Sequence, residues 1–169
     1  MNAPAPSSGA SADSRRWHIG FVGYGEVGRI LSEDLRAQGL AVSAFDIKLG
    51  TAAEAPLREH AARFGVTLAD SAARLAADVD FIISAVTASQ AVAVAEACAG
   101  TIRPQVLFLD FNSASPGAKQ RAGAIIDAAG GRYVGTDNAY LKADKAAVAA
   151  EISGPATEIL VQKNEKVAA

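Results

Sequence analysis

The feature that most constrains the fold of this chain is a short apolar segment that ends in regularly spaced glycines, at residues 17–28 (WHIGFVGYGEVG). A run of β-strand length comes first, and Gly23, Gly25 and Gly28 then follow with the spacing G-x-G-x-x-G. The apolar residues after the first glycines recur at helical spacing and predict one stripe that faces a sheet: Val27, Ile30, Leu31 and Leu35. The segment therefore predicts a strand, a tight turn and a helix.

Each glycine in this turn has a separate predicted role. Gly23 permits the tight turn, Gly25 lets the backbone approach a pyrophosphate, and Gly28 lets the helix pack closely on the strand. The free N–H groups and the positive dipole end of the helix then face the phosphates. Because the chain contains 15 glycines, the alternative is that these three are ordinary turn residues.

A second strand and the acid that follows it favour the nucleotide interpretation. Residues 40–45 predict a β-strand, and Asp46 ends it about 20 residues beyond the glycines, where dinucleotide-binding folds place the carboxylate that accepts from the adenosine ribose hydroxyls. The same charge repels a 2′-phosphate, so the predicted cofactor is NAD. NADP is the alternative, because Lys48 lies close enough in sequence to soften that repulsion.

Strands and helices alternate along the rest of the chain. Strands are predicted at 66–68, 80–86, 106–111 and 133–134. Helices are predicted at 56–64, at 71–77 with Asp70 or Ser71 as the cap, at 88–99, and from Ser115 to the Gly130-Gly131 pair. The predicted fold class is α/β, a doubly wound parallel sheet (Rossmann-like) with helices on both faces and a ligand crevice at the carboxyl ends of the strands.

The two ends of the chain carry weaker patterns. Residues 1–14 are mostly Ala, Pro, Ser and Gly, which predicts a disordered tail. Residues 15–169 are predicted to form one dinucleotide-binding domain. Within it, 139–150 is compatible with a helix and 148–152 with a final strand.

Composition narrows the classes of partner. The 16 basic and 18 acidic residues give a net charge of −2, which argues against a nucleic-acid partner. No run reaches the roughly 18 consecutive apolar residues of a membrane helix, so no membrane partner is predicted. The single cysteine, Cys98, predicts a buried small side chain and a reducing, cytoplasmic location. One Cys and two His are too few for a clustered metal site, and His18 and His60 are predicted to be packing or surface residues.

Two segments carry a family resemblance. Residues 20–28 read GFVGYGEVG, and residues 109–116 read LDFNSASP after the fifth predicted strand. The first is similar to G-F-x-G-x-G-x-M-G and the second to D-x-S-T-x-x-P, with Val27 and Asn112 as departures. Both are patterns of the N-terminal cofactor domain of the 6-phosphogluconate dehydrogenase and 3-hydroxyacid (β-hydroxyacid) dehydrogenase superfamily, which the chain resembles over roughly 19–134.

The resemblance implies where a cofactor is bound. It places Asn112 and Ser113 beside the nicotinamide and substrate, and Val86 and Thr87 along the nicotinamide ribose. It also implies that the glycine segment binds the cofactor through Gly23, Tyr24, Gly25, Glu26, Val27 and Gly28. Helix capping is the alternative role for Thr87, Asn112 and Ser113, and it is the predicted role of Ser115.

Two family features have no match in this sequence. After Val134 the chain reads GTDNA in place of the family's D-A-P-V-S-G-G-like substrate segment. The family's catalytic lysine is followed four residues later by asparagine, whereas Lys163 and Asn164 are adjacent and the chain stops at Ala169. The catalytic residue is therefore unassigned, and the C-terminal helical domain is expected to be absent. For the full-length form the resemblance implies a homodimer.

These observations together predict the NAD(P)-binding domain of an oxidoreductase that moves a hydride between a nicotinamide cofactor and a small hydroxyacid-like substrate. A non-catalytic module that senses or sequesters a dinucleotide is one alternative, which the unmatched lysine would fit. An S-adenosylmethionine-dependent methyltransferase is another, because that fold also has a glycine-rich turn after its first strand. The acidic residue expected before the glycines of a methyltransferase is absent from 18–22.

Overall fold

The computed structural model describes residues 14–136. Over these residues the chain forms six strands: β1 (His18–Val22), β2 (Ala41–Phe45), β3 (Thr67–Leu68), β4 (Phe81–Ser84), β5 (Leu107–Asp110) and β6 (Arg132–Gly135). It also forms five α-helices: α1 (Glu26–Ala37), α2 (Ala55–Phe64), α3 (Ala72–Asp78), α4 (Ala91–Ala99) and α5 (Pro116–Ala128). Helices and strands alternate in the predicted order.

The strands form one parallel sheet in the order β3-β2-β1-β4-β5-β6. The chain builds outward from β1 to β3, then crosses back to place β4 on the other side of β1. Gly20 therefore pairs with Ser43 of β2 on one side and with Ile82 of β4 on the other. This reversal leaves a crevice at the carboxyl ends of β1 and β4, where open α/β sheets bind ligands.

Two apolar cores cover the two faces of the sheet. On one face α1 and α2 pack against the sheet around Phe21, Val42 and Leu57. On the other face α3, α4 and α5 contribute buried side chains that include Leu75, Cys98 and Ile126. The doubly wound α/β fold with helices on both faces is thus confirmed.

The predicted capping residues act as caps. Ser71 Oγ accepts from the Arg74 N–H at 3.0 Å, and Ser115 Oγ accepts from the Ala118 N–H at 3.3 Å. Each bond satisfies one of the N–H groups that the first turn of a helix leaves without a partner. Ser71, and not Asp70, is therefore the cap of α3.

The apolar stripe predicted for α1 is wrong in two of its four positions. Val27 and Ile30 are 45% and 53% exposed, whereas Leu31 and Leu35 pack against the core. The buried positions on this helix are instead Gly28 and Ser32. Gly28 packs directly against the Gly23 carbonyl of the turn, so the buried face of α1 is the one that carries Gly28 and Ser32, and Val27 and Ile30 lie outside it.

Two of the predicted strands extend too far at their carboxyl ends. The fourth strand was predicted over 80–86 but ends at Ser84, and the fifth was predicted over 106–111 but ends at Asp110. After Ser84 the Ala85 N–H still donates to the Val22 carbonyl, but the Val86 N–H turns to a side chain. The helix predicted over 88–99 begins with a short 3-10 segment, Ala88–Gln90.

Several predictions on the two ends fall beyond the described part of the chain. The disordered tail was predicted over 1–14, and only Ser14 is described, where it begins a short 3-10 helix, Ser14–Arg16. The helix at 139–150 and the strand at 148–152 lie outside the described residues, as does most of the 135–169 region of the predicted domain.

Candidate functional site

The turn between β1 and α1 requires glycine at its first position. Gly23 has φ +97°, in the left-handed region, and a Cβ there would lie 2.3 Å from the Ala85 carbonyl oxygen. Its N–H donates to the Phe45 carbonyl of β2 at 2.8 Å. The turn is thus wedged between the ends of β2 and β4, which confirms the predicted tight turn.

The other two glycines of the motif have opposite surroundings. A Cβ on Gly28 would lie 2.3 Å from the Gly23 carbonyl oxygen, so α1 packs tightly against the turn. A Cβ on Gly25 would meet no heavy atom within 4 Å. Gly25 is also the N-cap of α1 and provides no side-chain cap. The first turn of α1 therefore has no side-chain cap for its N–H groups, and the space beside Gly25 is open; an anion site at a helix N-terminus needs both.

Asp46 joins the glycine turn to the end of β2. The residue is only 8% exposed, and its Oδ2 accepts from the Tyr24 N–H at 2.8 Å. Its Oδ1 accepts from the Lys48 N–H at 3.0 Å. Because a carboxylate oxygen accepts more than one hydrogen bond, both oxygens keep capacity for a ligand hydroxyl. The position of Asp46 was predicted, but its bond to the turn was not.

The Tyr24 side chain points away from the crevice. It is fully buried, and its hydroxyl lies 2.7 Å from Nδ1 of His60 on α2. Nε2 of His60 in turn lies 2.8 Å from Oε1 of Glu33 on α1. Burial raises the pKa of Tyr24 above its ordinary value. The sequence predicted His60 only as a packing or surface residue; the one available signal was a tyrosine between two turn glycines.

A cleft of about 390 Å³ opens at the carboxyl ends of β1, β2 and β4. Ala93 and Ala97 of α4 form part of its wall, and Val22 and Phe45 form part of its floor. Five of the predicted cofactor-binding residues line it: Gly23, Gly25, Asp46, Val86 and Thr87. The cleft therefore combines a mostly apolar slot with the open turn at Gly25.

Asn112 lies behind the cleft wall rather than on it. The side chain is 3% exposed, with Oδ1 accepting from the Val86 N–H at 2.6 Å and Nδ2 donating to Ser84 Oγ at 3.0 Å. These bonds fasten the chain after β5 to the chain after β4, and they leave no helix-capping role for the Asn112 side chain. Ser113 is exposed and does not line the cleft.

A buried acid supports this part of the molecule. Asp110 is 1% exposed, and its Oδ1 accepts from the Asn112 N–H at 2.9 Å. Its Oδ2 accepts from the Tyr133 hydroxyl of β6 at 2.6 Å. Burial, followed by this bond to Asp110, raises the pKa of Tyr133 far above its ordinary value. The sequence does not predict this pair, because nothing in the local pattern links β5 to a tyrosine on β6.

The remaining predicted residues have distinct positions. Glu26 and Val27 are exposed in the first turn of α1, whereas Gly28 is buried beneath it. Thr87 is exposed, with its hydroxyl 3.3 Å from Ser89 Oγ and no capping bond to the following 3-10 segment. Cys98 is buried as predicted, and burial raises the pKa of its thiol to about 12.

Residues 14–136 contain neither a metal-binding cluster nor a membrane-spanning helix. Within 14–136, His, Cys, Asp and Glu nowhere gather in a group of three or more that could hold a metal ion. Among the helices of that range, none has the length and apolar character required to cross a bilayer.

A doubly wound parallel sheet, a G-x-G-x-x-G turn at its switch point and an acid at the end of the neighbouring strand define the dinucleotide-binding class of α/β domains. The sequence profile of the NAD binding domain of 6-phosphogluconate dehydrogenase matches residues 18–137. The chain therefore belongs to this family of NAD-binding domains.

Solved structures agree with this assignment. A conserved hypothetical protein from Sinorhizobium meliloti 1021 has 31% identity and a TM-score of 0.66, over 70% of this chain and 40% of that one. Mycobacterium tuberculosis 3-hydroxyisobutyrate dehydrogenase has 25% identity and a TM-score of 0.63, over 71% and 40%. A putative oxidoreductase from Mycobacterium avium 104 has 25% identity and a TM-score of 0.58, over 71% and 41%.

The matched region thus spans about two fifths of the length of these relatives. No curated protein sequence matches the chain significantly.

Proposed function

We propose that this domain holds NAD for an oxidoreductase that transfers a hydride between the nicotinamide and a small hydroxyacid-like substrate. The observation that carries the proposal is the turn at Gly25. The N–H groups of the first turn of α1 have no side-chain cap there, the space beside Gly25 is open, and Gly25 lines a cleft that Asp46 also lines. Membership of the NAD-binding family supports the same cofactor.

The residues around the turn fit a dinucleotide. The N–H groups of Gly25, Glu26 and Val27 would donate to the diphosphate, aided by the positive end of the α1 dipole. Gly23 and Gly28 would act by shape, since each lies too close to neighbouring backbone for a Cβ. Tyr24 would contribute through its backbone, because its side chain is buried away from the cleft.

Asp46 would accept from the adenosine ribose hydroxyls and disfavour a 2′-phosphate. The Asp46 carboxylate is buried and accepts two backbone hydrogen bonds at the cleft. Its negative charge supports NAD as the preferred cofactor. Lys48 also lines the cleft, which keeps NADP as the weaker alternative.

At the other end of the cleft, Val86 and Thr87 would line the nicotinamide ribose. Asn112 would act through Val86, whose N–H it holds, and Ser113 would lie towards the substrate. When bound, the nicotinamide supplies the hydride donor and acceptor. Oxidation of an alcohol also requires a group that takes the hydroxyl proton, and we assign no residue of 14–136 to that role.

The substrate class rests on the relatives. The Mycobacterium tuberculosis relative is a 3-hydroxyisobutyrate dehydrogenase whose structure was solved with L-serine. Both names denote small polar molecules that carry a hydroxyl and a carboxyl group. By extension we propose such a substrate for the whole protein, together with a homodimeric full-length form and a cytoplasmic location that suits the free Cys98.

The proposal is tested by fluorescence titration of the purified chain with NADH and NADPH, with S-adenosylmethionine as a third ligand followed by calorimetry. We expect saturable NADH binding, weaker NADPH binding and no binding of S-adenosylmethionine. Binding of S-adenosylmethionine alone would reverse the assignment in favour of a methyltransferase. Binding of NADH is expected both of an oxidoreductase domain and of a non-catalytic module. The reading frame beyond Ala169 distinguishes them, because only the oxidoreductase predicts a helical domain with a catalytic lysine there.

The role of Asp46 has its own test. Asp46→Ala removes both the charge that opposes a 2′-phosphate and the acceptor that holds the Tyr24 N–H. We therefore expect NADH affinity to fall by roughly tenfold, and NADPH affinity to fall less, because a bond to a charged group is worth about 1.5 to 3 kcal/mol. Asp46→Asn is the matched control: it keeps one acceptor oxygen and loses the charge. Unchanged discrimination between the two cofactors in both variants would refute this role.

A further inference from the structure

Three side chains form a hydrogen-bonded chain behind the glycine turn. It runs from the Tyr24 hydroxyl through the His60 imidazole to the Glu33 carboxylate, with contacts of 2.7 and 2.8 Å. The tyrosine end is fully buried, the His60 side chain is 11% exposed and the Glu33 side chain is 41% exposed. The chain therefore links the turn to α2, and α2 to the surface of α1.

The turn needs such an anchor because glycine flanks Tyr24 on both sides. Glycine restricts the backbone least of all residues, so a turn of this kind has many conformations unless its one side chain is fixed. The Tyr24 N–H is held by Asp46 from the β2 side. The Tyr24 ring is held independently from the α2 side by His60, which meets it edge-on at a centroid distance of 5.4 Å.

Glu33 determines which nitrogen of the His60 imidazole carries the hydrogen. Since a carboxylate only accepts hydrogen bonds, its contact with Nε2 fixes the tautomer that carries hydrogen there. Nδ1 of the neutral imidazole is then an acceptor, as the Tyr24 hydroxyl requires if it is to donate. Phe64 packs against the same ring at a centroid distance of 4.6 Å and limits its rotation.

We propose that His60, oriented by Glu33, is a positioning residue for the dinucleotide turn: acting through the Tyr24 hydroxyl, it holds the backbone N–H groups of Gly25 and Glu26 where a diphosphate would meet them. This inference rests on the proposed cofactor role of the turn. It adds a second anchor, on the opposite side of the turn from Asp46, to the residues on which cofactor affinity depends.

The experiment compares the 169-residue chain with Tyr24→Phe, His60→Leu and His60→Asn. Tyr24→Phe removes only the hydroxyl, and His60→Leu removes its acceptor. His60→Asn keeps a polar group near the position of Nδ1 and serves as the conservative rescue. Ile126→Val on α5, in the core of the other face, is the control for a general loss of stability. All titrations are made where circular dichroism shows each variant to be folded.

Two measurements are made on each variant. NADH affinity is expected to fall about fivefold in Tyr24→Phe and His60→Leu, the change that corresponds to the net worth of one hydrogen bond. It should recover largely in His60→Asn and stay unchanged in Ile126→Val. Without cofactor, hydrogen exchange of the Tyr24 amide should be about fivefold faster in the first two variants, with the β5 amides unchanged.

The two proposals fail in distinguishable ways. If the unmodified chain binds NADH and the variants match it in affinity and in Tyr24 exchange, the positioning role is overturned and the cofactor assignment stands. If the unmodified chain binds neither NADH nor NADPH, the cofactor assignment is overturned. Faster Tyr24 exchange in His60→Leu then still supports the anchoring of the turn by His60, and an unchanged exchange rate overturns it.

Discussion

The two halves of the carboxyl edge of the sheet are built in different ways. In the β1–β2 half, the backbone of the turn region makes most of the contacts: Gly23 adopts φ +97°, and the Tyr24 and Lys48 N–H groups donate to the Asp46 carboxylate. In the β4–β5 half, side chains make them. The Asn112 side-chain amide bonds both Ser84 and Val86 across the gap between strands, and the Asp110 carboxylate accepts from the Asn112 backbone N–H.

The difference lies in the kind of group that makes the contacts, because the partners are similarly far apart in sequence: 22 residues for Tyr24 and Asp46, and 26 and 28 residues for Asn112 with Val86 and Ser84. The β1–β2 half depends on glycines within a single motif and on an acid 22 residues away from its Tyr24 partner. The β4–β5 half depends on polar side chains that meet only after β4, β5 and β6 have paired. A buried side-chain network tolerates the loss of one member poorly, because its partner is left without a hydrogen bond. The two halves should therefore respond differently to substitution.

The largest expected effect is that of Gly23→Ala. A Cβ there would lie 2.3 Å from the Ala85 carbonyl and the residue would be held at positive φ, so we expect a loss of about 2 to 4 kcal/mol in the free energy of unfolding. Gly25→Ala is the matched control, because its Cβ meets nothing within 4 Å. It should keep most of its stability in urea denaturation and lose NADH affinity. Equal stability of the two variants would contradict the backbone account of this half.

The next effect is that of Asn112→Ala. The change removes the acceptor of the Val86 N–H, at 2.6 Å, and the donor to Ser84 Oγ. We expect the free energy of unfolding to fall by about 2 kcal/mol. Ser113→Ala, one residue on and exposed, should change stability by less than about 0.5 kcal/mol. If urea denaturation gives similar values for both, the network does not hold the β4–β5 half together.

The smallest effect is that of Tyr133→Phe, and it depends on pH. Removal of the hydroxyl leaves Asp110 Oδ2 without a donor and should cost about 1 kcal/mol near neutral pH. Because burial raises the pKa of Tyr133 in the folded protein, its contribution is complete below the unfolded pKa of about 10 and is lost as pH rises beyond it.

Urea denaturation of the parent and the Tyr133→Phe variant between pH 7 and 11 measures this contribution. The stability difference should be constant up to about pH 9 and shrink above pH 10. If the stability difference between the parent and the variant grew above pH 10, the pKa of Tyr133 could not be raised in the folded protein.

Much of the fold could be predicted because its pattern is local. Alternating strands and helices, the caps at Ser71 and Ser115, and the glycine turn all follow from short-range periodicity and backbone preference. The errors occurred at positions whose burial depends on tertiary packing. Val27 and Ile30 have helical spacing, but their exposure depends on how closely Gly28 lets α1 approach the turn.

In the candidate site, too, features set by motif spacing could be predicted, and side-chain partners set by tertiary packing could not. The positions of Gly23, Gly25 and Asp46 at one cleft could be predicted from spacing, since parallel strands bring their carboxyl ends to one edge. Asn112 was predicted beside the nicotinamide, and that role stays a prediction. The structure adds that the Asn112 side chain is already occupied by Ser84 and Val86, which no spacing rule could indicate.

By itself, the sequence determined the class of fold, the glycine turn and the acid that ends β2. These depend on backbone conformation, on local periodicity and on the spacing of residues within a motif. The tertiary structure decided what surrounds them. It brought the Tyr24 hydroxyl to His60 and His60 to Glu33. It also buried Asp110 where its carboxylate accepts hydrogen bonds from Asn112 and Tyr133. A buried polar atom must find a partner wherever the fold brings one within reach, and only the packed sheet and helices determine which side chain that is.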